Sequence, residues 1–219
     1  MRQIANKWAK FRVLNRHSDI AMHIPDTRFY SIATMRRMLQ KYGFVVVKPL
    51  RGTGGNGVIK IEQLSGNRYR YHYERKRNVV PSLTQLLRLI DRIRKDRRYL
   101  IQRGVNLVTV AERPVDYRVK MVKSGSTWRL RAFVARVARS GQFVTNLCRG
   151  GSMRQGYAAL RHSFPKDQAK DKKETMLGVA RKGTLLLEKK YPGIDSLGFD
   201  FGVDRGGKIW IFEVNTKPH

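Results

Sequence analysis

The sequence predicts an α+β fold, in which helices are mixed with antiparallel hairpins. Residues 82–95 repeat apolar side chains at helical spacing opposite a face of arginines, which is typical of an amphipathic helix. Two pairs of alternating segments, 116–122 with 128–137 and 197–203 with 208–214, are each joined by a short Gly-containing turn and predict hairpins. Because strands and helices do not alternate regularly along the chain, a doubly wound parallel sheet is disfavoured.

The first fifty residues predict two helices followed by a strand. Residues 4–14 place apolar side chains near helical spacing among basic ones. Ser31 has the side chain of a helix N-cap, and Gly43 predicts the end of the helix that Ser31 begins. The apolar run 44–48 predicts a short buried strand, which Pro49 ends.

The rest of the chain predicts further strands and a long helix. Residues 68–73 alternate basic and aromatic side chains, as expected of a strand with one solvated face, and 99–102 is a short apolar strand. Residues 143–147 predict another strand. The polar stretch 163–173 predicts a loop, which leads into a helix over 175–191.

Length and composition predict one large domain or two small lobes. The 219 residues are 41% hydrophobic, which is enough for a substantial core. A polar segment after residue 104 predicts the boundary between an N-terminal lobe (1–104), which carries a glycine-rich loop, and a C-terminal lobe (105–219). A single cysteine, the lack of a long apolar run and the lack of a signal-peptide pattern predict a cytoplasmic protein without a membrane partner.

The charge is strongly positive and unevenly distributed. The formal net charge is +30, a field that attracts nucleic acid, acidic peptides and nucleotides, although it also serves solubility. Residues 68–103 hold twelve Lys or Arg against three Asp or Glu, whereas residues 192–219 hold three against four. Carboxylates are therefore concentrated at the C-terminal end, which indicates that they have a specific role in this segment.

A glycine-rich loop follows the strand that carries Lys48. Its glycines let the backbone approach a phosphate group closely, and a lysine at the preceding strand end adds a positive charge; the glycines are Gly52, Gly54, Gly55 and Gly57. The pattern is neither a Walker loop nor a protein-kinase signature. A flexible hairpin is the alternative interpretation.

The last hairpin predicts a magnesium site. Asp200 lies on its first strand, and Glu213 and Asn215 lie on its second strand with a spacing of two, which places both on one face. Two carboxylates and an amide oxygen are ligands that suit Mg²⁺. The alternative is that Asp200 is a strand-end residue and that Glu213 is solvated. Against it, Glu213 lies within an otherwise apolar strand, where an unpaired carboxylate costs several kcal/mol, on the order of a burial penalty.

Taken in order, these motifs resemble the ATP-grasp superfamily. The resemblance is carried by Val-Val-Lys-Pro before the glycine loop, Gly-Phe-Asp-Phe-Gly-Val-Asp at 198–204 and Phe-Glu-Val-Asn-Thr-Lys-Pro at 212–218. Further patterns at 6–8, 24–27 and 113–118 are similar to those of the spore-coat-associated YheC/YheD branch. The resemblance covers nearly the whole chain and implies a two-lobed ATP-grasp fold that clamps ATP in the cleft between its lobes.

The resemblance also implies roles for single residues. Lys7, Lys10, Lys48 and the glycine loop would contact the nucleotide, as would the segment from Gln102 to Val105 and Asp116. Four residues would act on the transferred phosphate: Lys48, Arg118, Arg136 and Asn146. Three would hold magnesium: Asp200, Glu213 and Asn215.

The activity implied is that of an ATP-dependent ligase, which joins a carboxylate to an amine or thiol through an acyl phosphate. The basic surface favours an acidic peptide or protein as acceptor. The alternative is a module that no longer catalyses a reaction and binds nucleic acid or another polyanion.

Overall fold

The computed structural model describes residues 2–218, and the chain divides into two compact units. The glycine-loop unit comprises Pro25–Val105 and Gly141–Phe143. The carboxylate unit comprises Met1–Ile24, Asn106–Ser140 and Val144–His219. Within the described residues, no helix is long and apolar enough to cross a membrane.

The longest helix and the two longest strands of residues 2–218 belong to the carboxylate unit. The helices are α1 (Lys7–Leu14), α2 (Ser18–Ala21), α3 (Ile32–Tyr42), α4 (Leu83–Arg94), α5 (Gly156–Arg161) and α6 (Lys166–Lys190), with a 3-10 turn at Leu147–Arg149. The strands are β1 (Thr27–Phe29), β2 (Phe44–Pro49), β3 (Ile59–Gln63), β4 (Tyr69–Tyr73), β5 (Lys76–Val80), β6 (Tyr99–Arg103), β7 (Thr109–Val110), β8 (Arg113–Ser124), β9 (Thr127–Val137), β10 (Ser152–Gln155), β11 (Ser196–Val203) and β12 (Ile209–Asn215).

The glycine-loop unit is an antiparallel sheet with helices on one face. Its strand order is β1-β6-β2-β3-β4-β5. The hydroxyls of Ser31 and Ser82 accept hydrogen bonds from backbone N–H groups in the first turns of α3 and α4, and Gly43 ends α3 in the left-handed conformation. Alternate residues of β2, such as Val45 and Val47, pack against these helices in the core. The intervening residues therefore point to the opposite face of the sheet.

The carboxylate unit is built on a second antiparallel sheet. Its strand order is β10-β9-β8-β11-β12, and β7 pairs with β8. Helix α6 packs on β8 and β11, and α1 packs on α6 and β12. All eight residues of β11 are buried because it is a central strand between β8 and β12. This central position is what buries Asp200.

Several predicted elements are confirmed and others are wrong. The two hairpins, the helices at 32–42 and 83–94 and the strand ending at Pro49 all form. The predicted strand at 143–147 does not form; the segment is irregular and ends in a 3-10 turn. The predicted loop at 163–173 is helical from Lys166. Pro165 occupies the N-cap position, and the negative charge of Asp167 in the first turn interacts favourably with the helix dipole.

The first 24 residues belong with the C-terminal part of the chain, not with residues 25–104 as the predicted lobe of 1–104 implied. Phe11 and Leu14 of α1 are buried in the same core as Phe199 of β11. The backbone N–H of Ile4 donates to Thr216 Oγ1 over 2.8 Å. These long-range contacts leave no local signal in the sequence.

Candidate functional site

The polar residues of the carboxylate unit lie on the sheet face opposite its core. On β8, Val115, Tyr117 and Val119 point into the core, so Asp116 and Arg118 point to the other face. Strand pairing places Asp116 opposite Arg136 of β9 and Arg118 opposite Asp200 of β11. Cross-strand neighbours on one face therefore alternate in charge.

A β-bulge brings Glu213 and Asn215 to this polar face. Asp200 pairs with Glu213 and Phe201 pairs with Ile211, so Phe212 is the extra residue of the bulge. Ile211 points into the core, and uninterrupted alternation would send Glu213 there as well. Because the bulge shifts the alternation by one residue, Val214 enters the core instead.

Arginine side chains hold the two buried carboxylates. Arg118 Nε donates to Asp200 Oδ1 over 2.7 Å, and its Nη2 donates to Oδ2 over 2.9 Å. Arg136 donates through Nε to Asp116 Oδ1 over 2.8 Å and through Nη2 to Asp116 Oδ2. The same Nη2 lies 3.1 Å from Asp200 Oδ2. The two acidic residues thus share Arg136, while Arg118 adds a second cation to Asp200 alone.

This sharing separates the pKa values of the two carboxyl groups. Burial by itself would raise the pKa of Asp200, but Arg136 and Arg118 outweigh it and lower the pKa below its usual value. Burial raises the pKa of Asp116, and Arg136 offsets only part of this effect. Burial would lower the pKa of Arg136, but Asp200 and Asp116 hold it above its usual value. Of the two carboxyl groups, that of Asp200 is therefore the more firmly ionised.

Lys7 and Lys10 of α1 lie beside Glu213, the carboxylate of β12. Lys7 is 6% exposed, and its Nζ is 3.3 Å from Glu213 Oε1. Lys10 is 3% exposed, and its Nζ donates to the carbonyl oxygen of Ile4 over 2.6 Å. Burial lowers the pKa of Lys10 to about 8, although Glu213 opposes the shift. Lys10 thus holds the segment before α1, and Lys7 faces Glu213 directly.

The donor set on β11 and β12 fits a hard divalent cation. Asn215 Nδ2 donates to Asp200 Oδ2 over 3.3 Å, so the amide oxygen of Asn215 is the atom that could bind a metal ion. Residues 2–218 contain no cluster of three or more His, Cys, Asp or Glu side chains that would hold a metal. Magnesium does not require such a cluster, because water and phosphate oxygens complete its shell.

Asn146 lies next to Thr145 at the start of the 3-10 turn. The side chain of Thr145 hydrogen-bonds to Asp116 and lowers the pKa of that carboxyl group. The carbonyl oxygen of Asn146 accepts from the backbone N–H groups of Arg149 and Gly151. The structure therefore fixes the backbone of Asn146 beside the Asp116 region.

In the glycine-loop unit, Lys48 is held by a chain of buried hydrogen bonds. Lys48 and Gln102 both lie on the sheet face opposite the core. Lys48 Nζ donates to Gln102 Oε1 over 2.8 Å, and Gln102 Nε2 donates to Thr27 Oγ1 over 2.8 Å. The side-chain amide of Gln102 thus orients Lys48. Val105, two residues beyond the end of β6, is half-buried.

The glycine loop joins β2 to β3 and has the backbone that the glycines predict. Gly52, Gly54, Gly55 and Gly57 all have positive φ, a conformation that other residues adopt with strain. At Gly57 a Cβ atom would lie 2.5 Å from Tyr99 Oη and 2.9 Å from Pro49 Cγ. Any other residue at position 57 would therefore have a strained backbone and would collide with Tyr99 and Pro49.

Sequence reasoning missed three threonines that position these residues. Thr27 accepts from Gln102 and donates to the carbonyl oxygen of Pro25. Thr145 hydrogen-bonds to Asp116, and Thr216 accepts from the backbone N–H of Ile4. Single hydroxyl residues carry no spacing pattern. Thr145 and Thr216 had a local signal, since each is adjacent to a predicted site asparagine, Asn146 or Asn215.

Comparison with known proteins places this geometry in a family. Residues 2–219 match the family model described as YheC/D like ATP-grasp. Two endospore coat-associated proteins of Bacillus subtilis (strain 168) are each 24% identical to the chain: YheD over 97% of it and YheC over 99%. These alignments cover 48% of YheD and 61% of YheC, so the chain spans about half to three fifths of their length.

Solved structures share the fold at low sequence identity. The D-alanine-D-alanine ligase from Coxiella burnetii has a TM-score of 0.59 at 11% identity, covering 98% of this chain and 48% of its own. Carboxyaminoimidazole ribonucleotide synthase from Aspergillus clavatus, solved with ATP, has a TM-score of 0.56 at 13% identity, covering 99% and 45%. The fold of this protein is thus the ATP-grasp fold, and the chain belongs to the YheC/D-like ATP-grasp family.

Proposed function

We propose that the chain is an ATP- and magnesium-dependent ligase, which joins a carboxylate to an amine or thiol. The observation that carries the proposal is the convergence of Asp200, Glu213 and Asn215 with Arg118 and Arg136 on one sheet face. Oxygen ligands beside guanidinium groups are the arrangement that phosphoryl transfer needs. Family membership and the ATP complex of a fold neighbour support ATP as the nucleotide.

The proposed reaction has two steps. An oxygen of the substrate carboxylate attacks the γ-phosphorus of ATP, the bond to the β-phosphate oxygen breaks, and ADP leaves. The amine nitrogen or thiol sulfur then attacks the acyl carbon, and inorganic phosphate leaves with the electrons of the broken C–O bond. The nucleophile releases its proton, which the leaving phosphate accepts. The first step forms an acyl phosphate and the second consumes it.

In this proposal the protein supplies position and charge. Arg118 and Arg136 lie beside Asp200, where they would neutralise the oxygens of the transferred phosphate. Lys48 is oriented by Gln102, so its ammonium group is preorganised to bind a phosphate. Asp116 fixes Arg136 through two hydrogen bonds and so acts on the phosphate indirectly.

Asp200, Glu213 and Asn215 are the residues we assign to magnesium. Bound there, the ion would offset the negative charge of the triphosphate. Lys7, Lys10, the glycine loop, Asp116 and the segment 102–105 are assigned to the nucleotide. Asn146, beside Thr145, is assigned to the transferred phosphate.

The charge of the chain favours an acidic acceptor. The formal net charge is +30, and exposed basic residues are far more numerous than exposed acidic ones. A carboxylate-rich peptide or protein would be drawn to such a surface at low ionic strength. We therefore propose peptides rich in Asp or Glu as the first acceptors to test.

The test is ADP release from ATP and Mg²⁺ in the presence of pooled amino acids and acidic peptides. The native chain should show acceptor-dependent release, and Glu213→Gln should lower it at least about tenfold, the loss of roughly 1.4 kcal/mol of transition-state stabilisation. Glu174→Gln is the matched control, because Glu174 lies exposed on α6. Native rates from Glu213→Gln would remove the metal assignment.

A second candidate function, polyanion binding without catalysis, is favoured by one exposed surface. The hairpin of β4 and β5 exposes Arg75, Lys76 and Arg77, and α4 exposes Arg88 and Arg92. Binding of nucleic acid there should weaken steeply as salt rises, since counterions are released on binding. A thermal shift with nucleic acid, together with none from ATP and Mg²⁺, would favour this function over ligation.

A further inference from the structure

The chain's own cations already occupy the carboxylates that we assign to magnesium and its surroundings. Lys7 faces Glu213, Arg118 and Arg136 face Asp200, and Arg136 also holds Asp116. Three carboxylates are therefore matched by three cations in direct contact, and the ammonium group of Lys10 also interacts with Glu213, so the cluster has no net negative charge without any ligand. A divalent cation that enters alone finds no net negative charge to attract it.

Lys7 is fixed in this position by the segment that precedes it. The Asn6 side chain accepts from the N–H of Ala9 and caps α1, so Lys7 lies in the first turn. The N–H of Ile4 is bound to Thr216, the residue that follows Asn215, and the carbonyl oxygen of Ile4 accepts from Lys10. The N-terminal segment is thereby anchored to the end of the strand that carries Glu213.

This anchoring separates Lys7 from an ordinary surface lysine. A surface ion pair loses side-chain entropy and is screened by water, so it influences its partner little. Lys7 is buried, and its helix is attached beside β12, so its ammonium group stays near Glu213. A metal ion at Glu213 would lie within a few ångström of that ammonium group and would be repelled by it.

We propose that Lys7 is a positioning residue that couples metal binding to nucleotide binding. Without a nucleotide, Lys7 neutralises Glu213 and keeps metal affinity low. When a nucleotide arrives, its phosphates provide Lys7 with a second anionic partner, and Glu213 becomes available to the metal. This inference rests on the proposed function, because it takes Glu213 as a metal ligand.

The experiment measures Mn²⁺ binding to the full chain by the loss of the free-ion electron paramagnetic resonance signal. Mn²⁺ stands in for Mg²⁺, and each titration is run with and without a non-hydrolysable ATP analogue. The Mn²⁺ that the analogue binds by itself is measured without protein and subtracted. For the native chain, the analogue should tighten Mn²⁺ binding by at least about tenfold, a typical size for coupling between two ligands.

The variants separate the charge of Lys7 from its packing. Lys7→Met should tighten Mn²⁺ binding without nucleotide by about tenfold, because it removes the repulsion between an ammonium group and a dication. It should also reduce the effect of the analogue. Lys7→Arg keeps the charge and should restore native coupling. Arg12→Gln is the matched control, since it removes a charge from an exposed position on the same helix.

The outcomes distinguish this inference from the proposed function. Equal nucleotide-free Mn²⁺ affinity in the native chain and in Lys7→Met would overturn the role of Lys7 while leaving the metal site intact. No Mn²⁺ binding to any chain, even with the analogue, would overturn the metal site itself. If Lys7→Met does not melt cooperatively, Lys7→Gln, which retains a hydrogen-bond donor, is measured against the same criteria.

Discussion

Arg136 lies between two buried carboxylates, so its removal tests the electrostatic description of the site. Its side chain is 5% exposed, and it binds Asp116 and Asp200 together. In Arg136→Met, an apolar side chain of similar length replaces the guanidinium group. Asp200 retains Arg118, but Asp116 loses its cationic partner and keeps the hydrogen bond from Thr145.

The expected cost is large because Asp116 would be left as a buried charge without a cation. Breaking a buried ion pair by removing one partner costs roughly 3–5 kcal/mol. For a chain of this length, each kcal/mol shifts the melting temperature by roughly 2–4 °C, so we expect a fall of about 6–20 °C. Arg129→Met, at an exposed position on the same strand, should change stability by less than about 0.5 kcal/mol.

The loss of stability in Arg136→Met should also depend on pH. With Arg136 gone, burial raises the pKa of Asp116 in the folded state further above its unfolded value. A raised carboxyl pKa costs stability as pH rises above the unfolded value, so the deficit should be smaller at about pH 4.5 than at about pH 7.5. Urea denaturation at both values measures this. If Arg136→Met lowers the free energy of unfolding by less than about 1 kcal/mol, or by the same amount at both pH values, the buried ion pair between Arg136 and Asp116 is refuted.

Three further predictions concern the carboxylate unit. Tyr117→Phe should raise stability by about 1 kcal/mol in urea denaturation, because the Tyr117 hydroxyl is buried without a hydrogen-bond partner; a loss instead would indicate a bound water. On α6, Gly178→Ala should stabilise the fold by roughly 0.5–1 kcal/mol, because a Cβ atom there has no neighbour within 4 Å. Gly183→Ala should destabilise it by roughly 1–3 kcal/mol, because its Cβ atom would lie 2.8 Å from the Phe199 ring. Equal shifts in the melting temperatures of the two variants would contradict this prediction. The lowered pKa of Asp200 adds stability that is present above the ordinary carboxyl pKa and is lost as pH falls through the lowered pKa. The melting temperatures of the native chain and of Asp200→Asn should therefore converge as pH falls below about 4. A difference in melting temperature that stays constant with pH would contradict the lowered pKa.

Local patterns in the sequence determined much of the fold and the chemistry of the site. Ser31 and Gly43 marked the limits of a helix, and the glycines of the loop take the positive φ that their residue type favours. The hairpin that carries Asp200 and Glu213 also formed as predicted. These predictions were confirmed because each feature depends on residues that are close together along the chain.

Other elements depended on distant partners and were missed. Strands β1, β5 and β10 have three to five residues each, lie at sheet edges, and form by pairing with β6, β4 and β9 respectively. The predicted strand at 143–147 had apolar residues but received no pairing partner among the described strands. Short strands carry little pattern of their own, because most of their stability comes from the sheet that receives them.

The sequence by itself determined which carboxylate, amide and cationic side chains this protein possesses, and the tertiary structure decided how they meet. Alternation predicts that Glu213 and Asn215 share a face, but only the bulge at Phe212 turns that face away from the core. Only folding brings Lys7 from the first helix to Glu213 near the other end of the chain. The physical reason is that residue type and spacing act locally, whereas register and ion pairing are set by the packing of segments far apart in the chain.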